Sequence, residues 1–169
     1  VDINKFVATW ANLMGTMFVV DSNTGLVTTQ NIRANAAAPF SLSETDLPTW
    51  CFFTGAATYP NPPDQSYGRL ARETRDFTAV LYVCKIDTGV DGEAERRVRP
   101  YVDSARDQIQ KHIQLWDGVD ANRVPGIKRT YLIRDSGPGQ IIYGSDKFNG
   151  ISYTVRVDAD NEVDYDPRQ

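Results

Sequence analysis

The sequence predicts an α+β domain: a mixed, mainly antiparallel sheet packed against two principal helices and closed by a C-terminal β-meander. Three observations carry that expectation. Glu73 to Ile86 (ETRDFTAVLYVCKI) is dense in aromatic and β-branched residues and free of Gly and Pro, as a strand in the middle of a sheet requires. After the turn DTGVDG, apolar residues recur at helical spacing: Ala94, Val98, Tyr101, Val102, Ala105, Ile109, His112 or Ile113, and Trp116. The last third then alternates short apolar runs with Gly-rich turns.

Length and composition bound the rest. A chain of 169 residues with 41% apolar and 24% charged residues fits one domain with its own core. The expected division is a domain over 1–157 and an acidic tail over 158–169, where five acids face one Arg. The net charge of −4 argues against gripping nucleic acid, which needs clustered Lys and Arg to displace counterions. Like charge does permit DNA to pass close by without sticking. No apolar run approaches bilayer length, and the start lacks the pattern of a secretory signal, so a cytosolic origin without membrane contact is expected. Cys51 and Cys84 fall in expected strands and read as reduced thiols, with a cross-strand bridge as the alternative.

Taken in order, Asp2 to Met17 forms a helix whose Phe6, Val7, Trp10, Leu13, Met14 and Met17 make one apolar stripe suited to covering a sheet. Val19 and Val20 followed by DSNTG mark its stop. Leu26 to Arg33 is a short strand, and Ala34 to Pro48 an irregular crossing between layers. Thr49 to Tyr59 is a strong strand, with Trp50, Phe52 and Thr54 on one face and Cys51 and Phe53 on the other. Tyr59 to Arg72 holds three prolines and cannot be sheet interior; it reads as a long loop. In the next strand Phe77, Ala79, Leu81 and Val83 share one face, and Val80, Tyr82 and Cys84 the other. Pro100 places a helix start or kink near Arg99, and Asp117 to Gly126 ends that helix. The meander is Ile127 to Arg134, a DSGPG turn, Gln140 to Tyr143, a GSDK turn, and Phe148 to Val157. In the last strand Ile151, Tyr153, Val155 and Val157 form a dry face and Ser152, Thr154 and Arg156 a wet one.

No catalytic signature emerges. His112, the single histidine, has no Cys or Glu at ligand spacing and reads as a partly buried side chain of the helix face. Asp87, Asp91, Glu93 and Glu95 depart from the calcium-loop order and read as a solvated acidic turn. The glycines between Ser136 and Gly139 lack the Lys or following helix of a phosphate cradle. With no metal, cofactor or acid/base pair indicated, a non-enzymatic chain that works by assembling with its neighbours is expected.

The order of motifs supports that. An N-terminal amphipathic helix is followed by a polar crossing ending in Leu47 and Pro48, then an aromatic strand with Trp50 and Phe52. A long strand, a helix after an acidic turn, and a C-terminal hairpin ending NGISYTVRVD complete it. This order resembles the tail terminator proteins of long-tailed bacteriophages, the lambda-type minor tail protein U group. The resemblance implies a mixed sheet flanked by helices and six copies closing into a ring on the head-proximal end of the tail tube. It further implies a virion protein of the tail and neck, assembled in the host cytoplasm. Its partners would be the tail tube protein and the head-tail connector or head-closure protein, with DNA passing through the lumen. The candidate assembly contacts are Tyr59, Tyr67, Arg69, Arg72 and Arg75 on the long loop and Asp87, Asp91, Glu93 and Glu95 on the acidic turn. Two alternatives stand beside this one: a head-closure or tail-completion subunit of the neck, and a small α+β enzyme or ligand-binding module.

Overall fold

The structure is a computed structural model and describes residues 2–17, 19–20, 27–28, 32–59, 70–86, 92–112 and 124–162. Helix α1 (Ile3–Gly15) is opened by Asp2, whose carboxylate accepts from the Lys5 backbone N–H at 3.0 Å. Two-residue strands β1 (Val19–Val20) and β2 (Val27–Thr28) pair antiparallel, and β3 (Arg33–Asn35) follows. After a short 3-10 turn at Glu44–Asp46 come β4 (Thr49–Thr58) and β5 (Leu70–Lys85). Helix α2 (Glu93–Lys111) precedes β6 (Ile127–Asp135), β7 (Gly139–Tyr143) and β8 (Asp146–Glu162). The expected α+β class is the observed one: among the described residues, two helices and a six-stranded mixed sheet in the order β3-β4-β5-β8-β6, with β7 also paired to β8, antiparallel except for β3 beside β4.

Alternation decides which residues face the helices. Across the central β5–β8 pair, Phe77 lies opposite Val155, Ala79 opposite Tyr153 and Leu81 opposite Ile151, and all six are essentially inaccessible. Trp50 and Phe52 of β4 join them on that face. Helix α1 lays its stripe onto this surface, with the Phe6 ring stacked on Phe77 at 4.1 Å between centroids and Trp10 tilted onto Phe52 at 5.0 Å. Helix α2 adds Val98, Tyr101, Ala105 and Ile109, and the Tyr153 hydroxyl donates to the Val102 carbonyl at 3.0 Å. Removing such large side chains from water is worth about 1.5–3 kcal/mol each, which makes this layer the main source of stability.

Four sequence expectations are corrected. Helix α2 begins at Glu93 and runs through Pro100, so the residue before proline is not its start. The proline forfeits one ladder bond, and the apolar face on both sides of it, from Val98 to Ile109, holds the helix on the sheet. Cys84 does not share the face of Val80 and Tyr82: a register shift between Tyr82 and Cys84 turns its side chain toward the helix-side core, opposite Asn149. The DSGPG segment is not a hairpin turn. Both β6 and β7 pair with β8, end to end along its outer edge, and Ser136 bridges the break: its N–H donates to the Ser152 carbonyl at 2.9 Å and its hydroxyl accepts from the Ser152 N–H at 3.0 Å. Finally, β8 continues past Val157 to Glu162, so the first residues assigned to the acidic tail are paired with β5. Residues 163–169 lie outside the described residues.

Candidate functional site

The sheet face turned away from the helices is divided into an apolar end and a polar end. At the apolar end Leu42, Cys51, Val80, Tyr82 and Phe148 form a second small core with Leu47, Ile141 and Tyr143. The Tyr82 ring meets Tyr143 and Phe148 edge-on at 5.3 and 5.5 Å. The Tyr143 hydroxyl donates to the Pro39 carbonyl, tying the 36–43 segment across this end. Both free cysteines are thiols, and burial pushes the Cys51 thiol up to about 11, so it is an inert core group rather than a nucleophile.

At the polar end the β5–β8 register places complementary groups opposite one another: Arg72 and Asp160, Thr74 and Asp158, Asp76 and Arg156. Arg156 donates to both Asp76 carboxylate oxygens at 2.7 and 3.0 Å. These bonds hold the Asp76 carboxyl below its ordinary range and raise the Arg156 guanidinium. Thr74 donates to Asp158 at 2.9 Å, and Asp160 is approached by Arg72 at 3.8 Å and Lys128 at 3.5 Å. An open groove of about 580 Å³ runs among Arg72, Thr74, Lys128, Arg129, Asp158 and Asp160. Within it Asp160 is the shared carboxylate partner of Arg72 and Lys128, and among the described residues no group of three or more His, Cys, Asp and Glu is arranged to hold a metal ion.

The expected contact residues scatter. Tyr59 follows the last residue of β4 and is 63% exposed. Arg72 belongs to β5, not to a loop, and its side chain stands out from the polar end. Arg75 points to the helix side, where it donates to Glu73 at 2.7 Å and to the Gly55 carbonyl at 3.2 Å. That position fixes the β4 bulge next to Gly55 and presents little of Arg75 to a partner. Glu93 and Glu95 occupy the first turn of α2, where carboxylates complement the helix dipole. Glu95 pairs with Arg99 at 3.3 Å, and Glu93 Oε2 is buried without a hydrogen bond. Tyr67, Arg69, Asp87 and Asp91 lie outside the described residues. His112 caps α2 and, with Trp10, Leu13, Gln108 and Thr130, lines a void of about 10 Å³.

Sequence reasoning missed the two sheet edges. On one side, β3 covers only Thr49 to Cys51 of β4, and among the described residues nothing pairs with the outer edge of β4 from Phe52 to Thr58. On the other side, β6 and β7 form one long edge beyond β8. Of the five exposed large apolar side chains among the described residues, Phe53 and Tyr59 mark the first edge and Ile133 and Ile142 the second; Phe40 is fully exposed on the 36–43 segment. Such edges are templates for adding strands from another chain. The available signal was the clustering of Phe53 and Tyr59 around a strand end, but which strands lie outermost depends on pairing.

Compared with known proteins, the chain matches no family model and no curated protein.

Proposed function

We propose that the chain is a structural ring subunit of a long-tailed phage, the terminator that caps the tail tube and presents a surface to the head-tail connector. The observation that carries this reading is the sheet whose two edges are open among the described residues, each marked by exposed apolar side chains. A subunit with two different edges makes heterologous contacts, and these generate a ring when the rotation between neighbours closes. The element order noted in the sequence and the helix-backed mixed sheet are consistent with it. The polar end of the outer face, where Arg156 pairs with Asp76 and both Arg72 and Lys128 approach Asp160, suits a surface that DNA slides past without being held.

The test is deletion of Asn61 to Gly68, between β4 and β5. Circular dichroism should report a folded chain, while electron micrographs of mixtures with tail tube protein should show tubes of uncontrolled length lacking a terminal ring. Normal capping by the deleted chain would refute the role given to this connection.

A further inference from the structure

The two edges also define how one copy would meet the next. Strands β4 and β5, β5 and β8, and β8 and β6 are each antiparallel, so β4 and β6 run in opposite directions at the two ends of the sheet. When two copies stand side by side in the same orientation, β6 of the first is therefore antiparallel to β4 of the second, the pairing that needs no inversion of either subunit. The helix layers of both copies then lie on the same side.

The chemistry of the edges distinguishes this arrangement from self-pairing. Along β6 stand Lys128, Arg129 and Arg134, with Asp135 held by Arg106 at 3.5 Å. A full-length antiparallel pairing of β6 with a second β6 would set Lys128 opposite Arg134 twice, which is unfavourable. Strand β4 carries no charged residue at all, although charges are the usual protection of an edge that is to stay unpaired. The chain as a whole is acidic while its β6 edge is basic, so copies attract edge to body rather than β6 to β6. The register shift between Leu132 and Arg134 turns Ile133 out of the sheet alternation, and Phe53 projects from the outer face of β4 opposite Thr78.

We propose that copies of this chain join head to tail through these edges, β6 of one copy lying antiparallel beside the Phe52–Thr58 half of β4 in the next, with Ile133 and Phe53 as apolar anchors. This rests on the ring reading only in requiring that copies associate.

The test uses Ile133→Lys and Phe53→Lys in the full chain, followed by sedimentation and native mass measurement. Ile133→Ser and Phe53→Ser, milder changes at the same two anchors, serve as a second pair should melting curves show a first variant unfolded. Wild type should form a closed oligomer, and each variant alone should remain monomeric. An equimolar mixture of the two should form a 1:1 dimer, because one intact β6 edge and one intact β4 edge remain. A Phe53→Lys chain that assembles like wild type, an Ile133→Lys chain that does so, or a mixture of folded variants that stays monomeric would each overturn the pairing. A mixture that dimerises while wild type builds open filaments would retain the pairing and remove the ring. Undisturbed rings from both variants would retain the ring and remove the pairing. A wild-type chain that is monomeric at every concentration would overturn both.

Discussion

Gly150 sits where β8 is held between two neighbours, opposite Tyr82 of β5 on one side and Gly139 of β7 on the other. A Cβ placed there would lie 2.3 Å from the Leu81 carbonyl oxygen and 3.2 Å from Ile141 Cδ1. Ordinary carbon–oxygen contacts begin near 3.3 Å, so the backbone of β5 or β8 would have to retreat by roughly 1 Å. Overpacking of this kind costs about 1–3 kcal/mol. Displacing the ladder weakens neighbouring hydrogen bonds worth about 1 kcal/mol each. Gly150→Ala is therefore expected to destabilise the chain by about 4 kcal/mol, a fall in melting temperature of roughly 8–16 °C for a domain of this size. Gly139→Ala is the control: nothing lies within 4 Å of its Cβ position, its backbone is not in the left-handed region, and it should be neutral or slightly stabilising. Both are read by thermal melting followed by circular dichroism. A Gly150→Ala chain that melts within about 2 °C of wild type would refute the close approach and the register it implies.

Two further predictions concern titratable groups. Arg156 holds the Asp76 carboxyl below its ordinary value, so this pair stabilises the fold above the unfolded carboxylate pKa, and the contribution is lost as pH falls through the lower folded value. Asp76→Asn should accordingly be modestly less stable than wild type near neutrality, and urea titrations should show the gap closing below about pH 4; a constant gap down to pH 2 would contradict it. Because Cys51 is wholly buried and its thiol is pushed up to about 11, thiol reagents at pH 8 should leave it unmodified in the folded chain and label it only in denaturant. Rapid labelling of Cys51 in native buffer, located by peptide mass, would show that the second small core is open.

Much of the fold was legible because alternation and helical spacing are local signals. The faces of Thr49 to Thr54, of Phe77 to Tyr82 and of Ile151 to Val157 follow from period-two patterning, and the stripe of α1 from Phe6 to Met17 is fully buried where described. What escaped depends on distant partners. The turn residues of DSGPG signal a break in a strand, but only the two bonds between Ser136 and Ser152 determine that the chain carries on along β8 instead of reversing. Asp158 and Asp160 looked like the start of a solvated tail because their partners, the Thr74 hydroxyl for the first and Arg72 and Lys128 for the second, come from other strands. Arg75 looked like a loop cation for the same reason: its partners Glu73 and Gly55 define a bulge that no periodicity announces. For the candidate site the sequence pointed to a region, the connection after Tyr59, while the two edges became visible only once β4 and β6 were known to be outermost.

The central claim, that the chain acts by closing a ring in a tailed virion, is tested most directly by electron cryo-microscopy of the intact particle that carries it. The account predicts six copies around the head-proximal end of the tail tube, with helix-backed sheets continuing from one copy to the next. Density at that junction belonging to a different polypeptide, or a particle from which this chain is absent, would contradict it.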